Sequence, residues 1–255
     1  MEAEAPRTIE ELWRARESVA PYPDGVIPVP ELIRGTAFFP GGRGFWLPTA
    51  DSRPVVESGG IMVLGHDFHS EVGYRESLAR GAEASTQPTW RQLVRILRDS
   101  AIPLEMCFFT NFYMGLRKGH QTTGTFPGAK DPGFVTRCRE FFKVQLAVYR
   151  PQLILTLGRF VPPQLAPLSA ALTPWAGAPS LKRIDRVGPV FSQVTLDTSS
   201  RPLQTSVVTL THPSLRHLSV HHRRYAGFEG ETAERAMLAR GCEAFRVYSS
   251  HRCEI

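Results

Sequence analysis

Four short apolar runs, each stopped by glycine or a polar side chain, limit what this chain can fold into. They are Ile61-Met62-Val63-Leu64-Gly65, released into His66 and Asp67; Met106-Cys107-Phe108-Phe109-Thr110-Asn111; Leu153-Ile154-Leu155-Thr156-Leu157-Gly158; and Val207-Val208-Thr209-Leu210-Thr211-His212. Such runs lack the in–out alternation of a half-exposed strand and read as strands buried on both faces of a parallel sheet. Helical patterns lie between them. Residues 89–100 carry Trp90, Leu93, Val94 and Leu97 at helical spacing behind a Thr89 cap, and Asp131-Pro132 opens a helix to about Arg150. A helix is expected near Arg159, another from Glu231 to Val247, and a small antiparallel excursion within 173–205. The expected fold class is α/β, a three-layer α/β/α arrangement around a central four-stranded, mainly parallel sheet. Such sheets bind ligands beyond the carboxyl ends of their strands, so Asp67, Asn111 and His212 should meet at one edge.

A chain of 255 residues suits one such domain, which we place at 59–255, preceded by an N-terminal extension over 1–58. Within the extension, Thr8-Ile9-Glu10-Glu11 fits a capping box that starts a helix to about Ser18. From Ala20 to Ser58 the chain is rich in Pro and Gly but also carries Phe38, Phe39, Phe45 and Trp46, so it is expected to wrap the core. A formal charge of +6 leans towards an anionic partner such as nucleic acid. No apolar run reaches the length needed to cross a bilayer, and the acidic start lacks signal-peptide character, so an intracellular, soluble monomer, cytoplasmic or nucleoid-associated and without membrane partners, is the expectation. Cys107, Cys138, Cys242 and Cys253 contain no Cys-x-x-Cys pair, which implies free thiols and no zinc site.

The strand ends resemble the motifs of the uracil-DNA glycosylase superfamily. Gly65-His66-Asp67-Phe68-His69 is similar to its Gly-x-Asp-Pro-Tyr-type loop, Thr110-Asn111 to the strand end whose Asn reads a flipped base, and Leu157-Gly158 to its third strand. His212-Pro213-Ser214 is similar to the His-Pro-Ser motif that begins the DNA-penetrating loop. The resemblance covers roughly 60–225 in the family's order and implies a monofunctional DNA glycosylase that needs no cofactor or metal. Cleavage of an N-glycosidic bond leaves positive charge on the sugar and negative charge on the base. Asp67 would therefore stabilise the sugar and orient the attacking water, while His212 hydrogen-bonds the pyrimidine O2. Asn111 offers both a donor and an acceptor to a Watson–Crick edge. Leu215 or Leu218 would wedge into the gap left by the extruded base, and Ser214, Arg216, Arg223 and Arg224 would contact the DNA backbone. Lys118 and Lys130, in a loop over 115–133, would extend that track.

Departures from the family pattern bear on the substrate. Phe68 and His69 stand where the best-known loop has Pro and Tyr, and Leu78 lies near the position expected for the stacking aromatic. Phe68 or Tyr74 would then supply the stacking ring, in a base pocket formed with Gly65, His66 and His69. Loss of that Tyr relaxes the exclusion of C5 substituents, so the expected base is either uracil or a bulky C5-modified cytosine of viral DNA. The first implies base-excision repair and the second defence against modified phage DNA. The cysteines do not provide the four ligands of the iron–sulfur branches. Two rivals remain: a catalytically silent DNA-binding relative, and a small-molecule α/β hydrolase, which lacks the Gly-x-Ser-x-Gly elbow.

Overall fold

The computed structural model describes residues 8–33, 38–39, 56, 58–84 and 86–250, with the side chains of 244–250 left aside. Its main sheet has five strands: β1 (Ile61–Gly65), β2 (Cys107–Asn111), β3 (Leu153–Leu157), β4 (Val190–Leu196) and β5 (Leu203–Leu210). Their spatial order is β2-β1-β3-β5-β4. β1 pairs in parallel with both β2 and β3, and β3 pairs in parallel with β5; only β4, at the edge, is antiparallel. The fold is therefore α/β with a mostly parallel sheet. It has five strands where four were expected, because the antiparallel excursion supplies β4 and joins the main sheet. β5 stops at Leu210, so Thr211 and His212 lie just beyond the ladder.

The longer helices are α1 (Ile9–Ala15), α2 (Glu71–Arg80), α3 (Pro88–Asp99), α4 (Pro132–Tyr149), α5 (Leu181–Val187) and α6 (Gly230–Ser250). The α1 capping box forms as expected between Thr8 and Glu11. Asp131 caps α4 by accepting a 2.9 Å hydrogen bond from the Phe134 amide. α3 starts earlier than its pattern suggests: Gln87 is the N-cap, with no side-chain hydrogen bond, and Thr89 lies inside the helix. α2 follows the His66–His69 loop almost at once, with Ser70 accepting from the Gly73 amide.

Alternation along the strands splits the core. Ile61, Val63, Cys107, Phe109, Leu153, Leu155 and Val208 pack with Trp90, Leu93 and Leu97 of α3 and Ala233, Met237 and Leu238 of α6. Met62, Leu64, Phe108, Ile154 and Val207 pack with Phe134, Cys138, Phe141, Phe142 and Leu146 of α4. Leu12, Val19, Val26, Val29 and Ile33 join the α4 cluster, so the described part of the N-terminal extension is built into the core. The expected contributions of Phe45 and Trp46 lie outside the described residues. Among the described residues, no helix is long and apolar enough to cross a membrane.

This strand order has a functional consequence. The chain leaves β1 on one side to reach β2 and returns on the other side as β3, so the connections from β1 and β3 diverge. A crevice beyond the carboxyl ends of β1 and β3 is the natural ligand position in such a sheet.

Candidate active site

The loop leaving β1 is organised around a buried carboxylate. Asp67 Oδ1 accepts from Arg117 Nε at 3.1 Å and from the His69 amide at 3.2 Å. Its Oδ2 accepts from Arg117 Nη2 at 2.8 Å and lies 2.8 Å from His66 Nδ1. Arg117 is only 2% exposed and also donates to the carbonyls of Thr123, Gly124 and Thr125. Its short strand, Leu116–Arg117, pairs with Val26–Ile27 and so ties the N-terminal extension to this loop. His69 adopts φ +97°, a strained conformation for a residue with a Cβ, and its carbonyl accepts from the Arg117 amide at 3.0 Å. Burial alone would raise the Asp67 pKa, but hydrogen bonds and charge from His66 and Arg117 prevail and bring it down to about 2. Asp67 is thus a fixed anion.

That arrangement corrects the role expected of Asp67. A carboxylate offers about four lone-pair directions, and here four donor atoms from three residues occupy them. None is left to orient an attacking water, although the negative charge remains at the sheet edge.

His66 lies against this carboxylate among aromatic rings. Its ring stacks on Phe160, with centroids 5.0 Å apart and planes 29° apart, and meets Tyr113 edge-on at 5.1 Å. Because Asp67 is ionised, its hydrogen bond with His66 places a proton on His66 Nδ1. Phe160 follows β3 directly and carries the Arg159 guanidinium 4.5 Å from its ring centroid. Rings from the β1 and β3 connections therefore meet where the topology predicts a ligand crevice.

Asn111 and His212 complete the constellation. Asn111 is paired in register with Gly65, and a Cβ at Gly65 would collide with Asn111 Oδ1. The glycine is needed for this close approach. Asn111 is 2% exposed, yet its Nδ2 has no hydrogen-bond partner among the described residues. An unsatisfied buried amide costs about 1–3 kcal/mol, so a group held in this state is a natural donor to a ligand. His212 packs against Gly158, where a Cβ would come within 3.1 Å of the His212 Cβ and where φ is +83°. Burial pulls the His212 pKa down to about 4, although the Asp67 charge acts in the opposite direction. The imidazole is therefore neutral at pH 7. Its Nδ1 lies 2.9 Å from Ser214 Oγ. With the Ser214 hydroxyl donating to Nδ1, the ring proton sits on Nε2 and can donate.

Other expected site residues lie elsewhere. Phe68 is 6% exposed and meets Phe39 and Tyr74 edge-on, each at 6.3 Å. Tyr74 is 2% exposed and donates its hydroxyl proton to the Glu31 carbonyl at 2.8 Å, while Leu78 packs on the same core. These three residues are packing groups, not walls of a base pocket. His69 is exposed beside α2, its ring against Gly73.

Two of the expected phosphate contacts are internal. Arg216 is buried against Glu234 and Glu231, in a crevice between α3 and α6 that Arg95 and Asp99 also line. Arg223 is fully buried, grips both Asp185 oxygens, and donates to Glu234 Oε1 and the Thr209 carbonyl, each at 2.8 Å. Neither guanidinium is open to DNA. Arg224 is exposed but paired with Glu229 at 2.9 Å, whereas Lys118 and Lys130 are exposed. Leu215 and Leu218 are 48% and 59% exposed, as an apolar wedge requires.

Sequence reasoning missed Arg117, Tyr113 and Phe160. An aromatic two residues after the third strand-ending glycine was the available signal for Phe160. Comparison of the chain with protein-family models and with curated proteins gives no match.

Proposed function

We propose that the chain is a DNA glycosylase that receives an extruded pyrimidine nucleotide at the carboxyl edge of β1, β2 and β3 and hydrolyses its N-glycosidic bond. The observation that carries this reading is the convergence of a fixed anion, a neutral imidazole and a buried, unsatisfied amide around the switch point of the sheet. The motif resemblance adds the choice of DNA as substrate.

The reaction follows from these groups. As the C1′–N1 bond breaks, its electron pair moves onto the base, and charge accumulating on O2 is met by the Nε2 proton of neutral His212. Positive charge on the sugar is stabilised by Asp67, which stays ionised. Water adds to C1′ and gives a proton to His66 Nε2, with Asp67 holding the resulting imidazolium. Asn111 Nδ2 donates to an acceptor on the Watson–Crick edge, and Leu215 and Leu218 fill the space left in the duplex. The products are a free base and an abasic site, formed inside the cell in repair or in defence against modified phage DNA. With Phe68 and Tyr74 withdrawn into the core and Leu78 packed against it, discrimination at pyrimidine C5 falls to other groups, and both uracil and C5-modified cytosine remain substrates to test.

The test is incubation with duplexes carrying uracil, cytosine or glucosylated hydroxymethylcytosine, followed by alkaline cleavage of abasic sites. Strand breaks at one of the modified positions are expected. His66→Gln should slow them by about 10²–10⁴-fold and His212→Gln by about 10²–10³-fold. One observation favours the silent DNA-binding alternative: the acceptor sites of Asp67 are filled by protein donors. DNA binding without base release from any of the three duplexes would select it.

A further inference from the structure

We propose that α5 is a DNA-backbone-binding helix at the rim of this site, presenting Lys182, Arg183 and Arg186 to the phosphates beside the extruded nucleotide. The proposal rests on the glycosylase reading for its partner, but its charge arrangement is independent of the chemistry.

The helix sequence Leu181-Lys182-Arg183-Ile184-Asp185-Arg186-Val187 holds three cations and one acid. The acid faces inward: the Asp185 side chain is 4% exposed, held by both Arg223 nitrogens and by the Arg224 amide at 2.9 Å. Ile184 is fully buried. The helix is thereby anchored by its fourth and fifth residues, and its exposed side chains are all cationic. Lys182, Arg183 and Arg186 are all exposed, and none is in an ion pair among the described residues. A solvated surface of a stable protein more often mixes its charges.

Its anchors link α5 to the site from both sides. Upstream, Arg159 Nη1 donates to the Pro179 carbonyl at 3.2 Å, immediately before the Ser180 cap of α5. Arg159 covers Phe160, which stacks on His66, so a cation–ring–ring ladder runs from the foot of α5 to the proposed base. Downstream, Asp185 holds Arg223 and Arg224, where the chain returns from the His212 segment. The helix therefore spans the connection after β3 and the connection after β5. A DNA strand that delivers a nucleotide between His66 and His212 passes this rim, and exposed, unpaired cations are what a phosphate run recognises.

The test uses the full chain with a fluorescein-labelled 20-base-pair duplex of ordinary sequence, read by anisotropy across a salt series. Lys182→Ala/Arg183→Ala/Arg186→Ala is compared with Arg98→Ala, an exposed cation on α3. Each lost phosphate contact lowers the slope of log affinity against log salt by about 0.9, so the triple variant should lose up to about 2.7 while Arg98→Ala loses none. An unchanged slope in the triple variant, with its melting curve intact, overturns the proposal. Base release by the wild-type protein is measured in parallel on duplexes carrying uracil or glucosylated hydroxymethylcytosine. A reduced slope without any base release would leave the helix surface standing and sink the glycosylase reading; base release with an unchanged slope would do the reverse.

Discussion

Asp67→Asn should destabilise the protein strongly whatever the protein catalyses, because it strips the charge from one side of a buried pair. Arg117 is 2% exposed and the Asp67 side chain 9% exposed, and their bidentate contact has nitrogen–oxygen distances of 3.1 and 2.8 Å. Removing one member of a buried pair typically costs 3–5 kcal/mol, since the other charge is left without compensation. Arg117 would keep three carbonyl acceptors, which points to the lower end, about 3 kcal/mol. The downward shift of the Asp67 pKa from 3.8 to about 2 gives an independent scale of about 2 kcal/mol for neutralising the carboxylate. In a chain of this size, a loss of about 3 kcal/mol lowers Tm by roughly 6–12 °C. The assay is a double-mutant cycle by urea denaturation with Asp67→Asn, Arg117→Met and both changes together. The two single variants should each lose about 3 kcal/mol, and the double variant clearly less than their sum. Single losses below about 1 kcal/mol, or strict additivity, would refute the buried-pair argument. The same reasoning makes Asp67→Ala a poor test of catalysis by itself, since it disturbs the loop that holds His66.

Three other outcomes follow from the same geometry. The folded-state pKa of His212, about 4, lies below its ordinary 6.5, so the unfolded chain takes up the proton first; about 3 kcal/mol of stability should be lost as pH falls from 6.5 to 4, and His212→Gln should flatten that part of a denaturation–pH series. Glu234 is 1% exposed, accepts from the Thr211 amide at 2.6 Å and is paired with both Arg216 and Arg223; Glu234→Gln should cost about 3 kcal/mol in urea and slow base release by shifting His212. Gly65→Ala should push the Asn111 amide out of place, which would appear as reduced discrimination among bases with near-normal binding of undamaged duplex.

The strands were readable in the sequence because residues buried on both faces leave unbroken apolar runs, and their ends were readable because a polar residue must follow where the sheet stops. Asn111 and His212 were found that way. The cap at Asp131-Pro132 was equally local and equally legible. β4 was harder: its pattern of intermediate, exposed and buried positions is that of an edge strand, and the irregularity between Phe191 and Val194 breaks its alternation. The basic run after His212 misled for a different reason. Whether Arg216 and Arg223 face DNA or protein depends on Glu234 and Asp185, which approach from other helices and leave no trace beside the arginines in the chain. Phe68 and Tyr74 likewise sit next to the motif in sequence, but their loop and helix turn them into the core. Arg117, fifty residues from Asp67, was invisible until the two met.

The most direct measurement is detection of free base, by mass spectrometry, after the protein acts in single turnover on duplexes containing uracil or C5-modified cytosine. Release of one of these bases is expected, with an abasic site left in its strand, and rates reduced by about 10²-fold or more in His66→Gln and His212→Gln. Release that persists at the wild-type rate in both variants, or no release from any duplex by a folded, DNA-binding protein, would contradict it.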